Sequence, residues 1–123
     1  MRVLVVVEDD TDMRMLMEVM LDADSRLELS GTAATAAEAV AAARMLQPDL
    51  VVLDHFIDGT VMGIDAAPRI KEVAPATSIL LCTSHDLQLE AERSATIDGY
   101  LNKRDISRLL ETVQRMLGLD HAA

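Results

Sequence analysis

Two kinds of apolar run alternate along this chain. Arg2-Val3-Leu4-Val5-Val6-Val7 is β-branched and apolar until Glu8-Asp9-Asp10 stop it, which predicts a buried first strand over 2–7. Met13, Leu16, Met17 and Met20 then recur at helical spacing, so they are expected on one core-facing helix stripe capped by Asp10 or Thr11. Leu27 and Leu29 alternate between Ser25 and Gly31, a short second strand that Gly31 should end. Thr35-Ala36-Ala37-Glu38 is a capping box, and the Ala-rich stretch to Leu46 is a strong helix halted by Pro48. Leu50-Val51-Val52-Leu53 runs straight into Asp54, the pattern of a strand buried on both faces.

The second half repeats the scheme. A third helix is expected from about residue 65 to 73, with Pro68 tolerable only in its first turn. Ser78-Ile79-Leu80-Leu81-Cys82 reads as a fourth strand ending at Thr83-Ser84, and 86–94 as a short, weak helix. Gly99-Tyr100-Leu101-Asn102 is a brief fifth strand. In the last helix Ile106, Leu109, Leu110, Val113, Met116 and Leu117 share a face, with Asp105 as the expected cap and Gly118 as the stop. Five βα repeats without a long linker predict one α/β domain over 1–123: a doubly wound five-stranded parallel sheet with helices on both faces.

Charge narrows the function classes. The 123 residues carry 21 acids against 11 bases, a net charge of −10, which disfavours direct contact with nucleic acid or an anionic membrane. No apolar run approaches the ~18 residues needed to span a membrane. The N-terminal run is too short for a signal peptide and is closed by acids, so the expected location is cytoplasmic. Cys82 is the sole cysteine and sits in an apolar run, which suits a buried small side chain better than a reactive thiol.

The chemistry collects at strand ends. Glu8 and Asp9 follow the first strand, Asp54 the third, Thr83 the fourth and Lys103 the fifth. In a parallel sheet these ends share one edge, where open α/β folds place their sites. Three carboxylates gathered there repel one another unless a pKa rises or a cation binds, and hard oxygen donors suit Mg²⁺. A hydroxyl and an ammonium beside them fit an anion arriving with the metal. Phosphoryl is the natural candidate, with Asp54 as nucleophile.

Over essentially its whole length the chain resembles the receiver domain of two-component response regulators, in particular the single-domain chemotaxis type. The resemblance rests on Val6-Val7-Glu8-Asp9-Asp10 with Arg14, Val51-Val52-Leu53-Asp54, Thr83-Ser84 and Gly99-Tyr100-Leu101-Asn102-Lys103. The spacings agree too: 45 residues from Asp9 to Asp54, 29 on to Thr83 and 20 on to Lys103. It implies a flavodoxin-like fold and a phosphoacceptor switch rather than a turnover enzyme. Asp54 would take a phosphoryl group from a sensor histidine kinase, a phosphotransfer protein or a small phosphodonor. Glu8 and Asp9 would be the acidic pair, with Asp9, Asp54 and the Phe56 backbone carbonyl as ligands of Mg²⁺, or of Mn²⁺ in its place. Thr83 would be the switch hydroxyl, Tyr100 the aromatic that moves with it, and Lys103 the partner of the phosphate. The partners implied are the phosphodonor, a downstream protein target and a second copy of the chain.

Some positions depart from the family pattern. Asp58-Gly59 and Gly63 suggest a loop with one extra residue after Asp54. Arg104 follows Lys103 where the family has a cis-Pro, so a trans bond or local strain is expected. The stretch from Thr83 to Lys103 is about two residues short, which should trim the fourth helix or its loops. In the family that the chain resembles, the positions of Phe56 and His85 flank the path of the water that hydrolyses the phosphoryl group. Phe56 should slow that water, and His85 could orient it or merely sit exposed. A Mg²⁺-dependent hydrolase would carry a second acid at position 56, so that reading falls away. Two alternatives stay open: a receiver-like adaptor that works without phosphorylation, and the receiver of a DNA-binding regulator cut from its output domain.

Overall fold

The computed structural model describes residues 2–8, 10–55 and 63–120. Its strands are β1 (Arg2–Val7), β2 (Leu27–Ala33), β3 (Leu50–Leu53), β4 (Ser78–Thr83) and β5 (Gly99–Asn102). Helices α1 (Thr11–Asp22), α2 (Ala36–Leu46), α3 (Gly63–Val73) and α4 (Gln88–Arg93) separate them; after β5 a 3₁₀ segment (Lys103–Arg108) leads into α5 (Leu109–Met116). All pairings are parallel and the strand order is β2-β1-β3-β4-β5, the doubly wound sheet that the alternating pattern predicts.

Strand alternation sends neighbouring residues to opposite faces, which divides the core in two. Val7, Val51, Leu53 and Ile79 pack against Ala36, Ala39 and Ala43 of α2 and Ala66, Ala67 and Ile70 of α3. Val6, Leu50, Val52, Leu80 and Cys82 pack against Met17 and Leu21 of α1 and Leu109 and Val113 of α5. Helices α1 and α5 therefore cover one face, and α2 and α3 the other. Every residue of β3 is buried, as its unbroken apolar run requires. Cys82 is buried and free, and burial pushes its thiol pKa up to about 12, so it is inert.

Local chemistry sets the helix ends. The Asp10 carboxylate caps α1 by accepting from the Met13 N–H at 3.1 Å. At α2 the Thr35 hydroxyl accepts from the Glu38 N–H at 3.1 Å, and the Glu38 carboxylate reaches back to the Ala34 N–H at 3.1 Å. Gln47 closes α2 in the left-handed region, at φ 46°. Its side-chain amide donates to the Val73 carbonyl at 2.9 Å and ties the ends of α2 and α3 together. On the other face Asp24 accepts from the Arg26 guanidinium at 2.7 Å and from the Gln114 amide at 2.9 Å, fastening α5 to the turn before β2. The Arg26 guanidinium beside it holds the Asp24 carboxyl well below the usual carboxylate range.

Four expectations are corrected. Leu16 is 44% exposed; the buried stripe of α1 runs through Met17 and Leu21, with Met13 and Met20 half-buried beside them, because Leu16 sits a quarter-turn round from Met17. Gly31 does not stop β2. Leu4 pairs with Leu29 and Val5 with Gly31, so Ser30 is an extra residue in a bulge and the strand continues to Ala33. Pro68 lies at the sixth position of α3 rather than in its first turn; its exposed ring gives up only the bond to the Ile64 carbonyl. Finally, Asn102 rather than Asp105 caps the last helical stretch, accepting from the Arg104 N–H at 3.0 Å. Asp105 lies within the 3₁₀ segment at non-helical angles.

Candidate functional site

Backbone hydrogen bonds carry the ladder one residue past the strands. The Glu8 N–H donates to the Ala33 carbonyl at 2.9 Å and the Asp54 N–H to the Val7 carbonyl at 3.1 Å. Glu8 and Asp54 thus stand side by side just beyond β1 and β3, at the carboxyl edge of the sheet. Both are buried, 1% and 6% exposed. Lys103, one residue past β5, brings its ammonium to 2.8 Å from Glu8 Oε2 and 3.3 Å from Asp54 Oδ2.

Two carboxylates share one ammonium, and the electrostatics follow. Burial raises the pKa of Glu8, and the nearby Asp54 charge adds to the rise, against the lowering pull of Lys103. Burial pulls Lys103 down, yet its bond to Glu8 and the charges of Asp54 and Glu8 outweigh that and hold the ammonium above its ordinary value. Lys103 is therefore charged at every physiological pH. Asp54 Oδ1 accepts from the His55 N–H at 2.8 Å, and Glu8 Oε1 from the Asp10 N–H at 3.2 Å. Arg14 reaches the Glu8 carbonyl at 3.5 Å.

Thr83 and Tyr100 act on a neighbouring part of the same edge. The Thr83 hydroxyl, fully buried, accepts from the His85 N–H at 3.2 Å. The Tyr100 hydroxyl donates to the His85 carbonyl at 2.8 Å and accepts from the Leu87 N–H at 3.2 Å. His85 is thus gripped through its backbone from both sides, while its side chain is exposed. The Asn102 amide, 3.4 Å from the Tyr100 hydroxyl, joins the cluster.

The structure thus unites Glu8, Asp54 and Lys103 in one ionic cluster and couples Thr83 to Tyr100 through the β4–α4 loop. Asp9, Phe56 and the loop with Asp58 and Gly59 lie outside the described residues. The Lys103–Arg104 peptide bond is trans, and α4 is the trimmed helix of six residues expected from the short spacing. Sequence reasoning missed Asn102 as a cap and did not foresee why position 63 must be glycine. A Cβ there would collide with the Asp54 carbonyl and lie 2.9 Å from the His55 Cα. The Gly63 N–H also bonds to the His55 carbonyl, which closes the backbone tightly behind Asp54.

A carboxylate-lined edge on a doubly wound parallel sheet defines an α/β protein with its site at the strand ends. Comparison with known proteins makes this specific. The model of the response regulator receiver domain matches residues 4–114. Response regulator protein VraR of Staphylococcus aureus is 32% identical over 99 residues, covering 79% of this chain and 47% of its own length. The chain thus spans about half the length of the curated relatives it matches. Among solved structures, the response regulator domain of Thermotoga maritima CheB superposes with a TM-score of 0.81 at 26% identity, covering 98% of both chains. A LuxR-family two-component response regulator from Aurantimonas gives 0.86 at 26% identity, over 95% of this chain and 85% of the other. The chain belongs to the response regulator receiver family.

Among the described residues no helix is long and apolar enough to cross a membrane.

Proposed function

We propose that this domain is a phosphoacceptor switch in a two-component phosphorelay, with Asp54 as the acceptor. The observation that carries the reading is the buried Glu8–Lys103–Asp54 cluster. Its two carboxylates exceed its one ammonium, so it is short of positive charge where a carboxylate must approach a phosphoryl group. Oxygen donors with surplus negative charge fit a hard divalent cation. Asp54, with Glu8 behind it and Asp9 and the Phe56 carbonyl outside the described residues, would hold Mg²⁺ or Mn²⁺. Bound there, the metal would neutralise phosphoryl oxygens during transfer.

The remaining work falls to the chain. An Asp54 carboxylate oxygen forms a bond to phosphorus, and the phosphodonor, a phosphohistidine or an acyl phosphate, leaves with the electron pair of the broken P–N or P–O bond. The His55 N–H fixes the direction of the carboxylate, and Gly63 lets the backbone close behind Asp54. At 3.3 Å the Lys103–Asp54 contact is longer than a tight ion pair, so the ammonium can turn to the incoming phosphoryl oxygens while Glu8 still anchors it.

Propagation follows from the grip on His85. If the Thr83 hydroxyl turns to donate to the phosphoryl group, it gives up the His85 N–H. The β4–α4 loop then keeps its bonds to Tyr100 and can reset with it, changing the α4–β5 surface offered to a partner. On this reading the domain is a signalling element, not an enzyme acting on an external substrate. The phosphodonor is a sensor histidine kinase or phosphotransfer protein.

Beryllofluoride with Mg²⁺ tests the coupling. Amide resonances of Thr83, His85, Leu87 and Tyr100 should shift together in the parent and stay fixed in Asp54→Asn. Shifts that persist in Asp54→Asn would contradict the reading.

A further inference from the structure

Apart from Leu89 on α4, 52% exposed, the exposed large apolar side chains among the described residues fall on α1 and α2, which lie on opposite faces of the sheet. On α1, Met15 is 56%, Leu16 44% and Val19 71% exposed; on α2, Met45 is 83% exposed. Neither group belongs to the switch cluster described above.

Helix α2 is apolar on two sides. Ala36, Ala39 and Ala43 are buried in the core. Ala37, Val40, Ala41, Arg44 and Met45, spaced i, i+3, i+4, i+7 and i+8, form a second stripe. With Arg69 of α3 they line a groove of about 500 Å³ whose charged lining, among the described residues, is two arginines. In a chain of net charge −10, a basic rim around an apolar floor marks a partner with apolar side chains flanked by acids.

The outer stripe of α1 has that composition. Asp12 lies four residues before Leu16, and Asp22 three after Val19, so each end of the Met15-Leu16-Val19 stripe carries an exposed carboxylate on the same face. The one base of the helix, Arg14, is turned to the Glu8 carbonyl of its own chain. The stripe from Asp12 to Asp22 is about 15 Å long at 1.5 Å per residue, a helix-in-groove footprint.

We propose that the occupant of the α2–α3 groove is α1 of a second copy of this chain. Met15, Leu16 and Val19 rest on Ala37, Ala41 and Met45, with Asp12 and Asp22 directed to Arg44 and Arg69. Because α1 and the groove lie on opposite faces of one molecule, the contact is head-to-tail and leaves each copy with a further groove or helix to fill. At 0.15 M salt the screening length is about 8 Å, so these local pairs, not the net charge, decide the contact.

Sedimentation equilibrium of the whole chain over a hundredfold concentration range tests this. The parent's average mass should rise with concentration from 13.4 kDa to at least twice that. Met45→Glu blocks the groove and Val19→Arg blocks the helix; both side chains are largely exposed, so the fold should be kept, as circular dichroism would verify. Each variant alone should remain monomeric. Mixed, they should form a dimer and stop there, since one retains a helix and the other a groove. A parent that stays at 13.4 kDa throughout, or self-association retained by either single variant, would overturn the proposal.

Discussion

Lys103 Nζ lies 2.8 Å from Glu8 Oε2, so the cation at the sheet edge is anchored to the first strand's carboxylate more tightly than to Asp54. Glu8 holds the lysine in place and leaves it able to move.

Removing that cation should leave two buried carboxylates facing each other. Lys103→Met is expected to cost about 1–3 kcal/mol at pH 7, below the range for fully buried pairs because the lysine is part-exposed. Urea unfolding would read the loss, which should shrink towards pH 4 as a carboxylate protonates.

Glu8 supplies the opposite test. Its folded pKa is raised above the ordinary 4.5, chiefly by burial, so the native state holds a proton on Glu8 more readily than the unfolded chain does. The stability linked to Glu8 is complete below its unfolded pKa and is lost as pH rises through the higher folded value. Glu8→Gln cannot lose it. The melting temperature of the variant relative to the parent should therefore climb between pH 4 and pH 7. A flat difference would show that Lys103 fully offsets burial.

The tight backbone behind Asp54 makes its own prediction. Gly63→Ala puts a methyl against the Asp54 carbonyl, and overpacking of this kind costs about 1–3 kcal/mol. Thermal unfolding would report it, and phosphoryl acceptance should fall with it because Asp54 is displaced.

Tyr100→Phe removes the hydroxyl that bridges the His85 carbonyl and the Leu87 N–H. The stability loss should be near 1 kcal/mol. Hydrogen exchange should speed up at Leu87, while amides of β1 and β3 stay protected.

The sheet was legible because β1, β3 and β4 are short apolar runs bounded by polar residues, and the strand-end carboxylates and lysine converge through topology alone. What escaped depended on backbone geometry and on contacts that residue types alone do not reveal. Asn102 became the cap because β5 delivers it to the Arg104 N–H, whereas Asp105, an equally good cap by residue type, lies inside the segment. The bulge at Ser30 carries no signal in a strand read by itself, since it is defined against Leu4 and Val5. Leu16 looked like core on spacing, but the inward face of α1 is set by Met17 and Leu21, and Leu16 points out. Gly63 was visible as a glycine; the need for it comes from a backbone nine residues earlier.

The most direct test of the phosphoacceptor reading is intact mass after incubation with acetyl phosphate and Mg²⁺, with Asp54→Asn run in parallel. The parent should gain one phosphoryl group, none when the metal is chelated before the donor is added, and Asp54→Asn should gain none. Equal incorporation by parent and variant would contradict Asp54 as the acceptor. No incorporation with small donors or with a phosphorylated histidine kinase would contradict the switch itself.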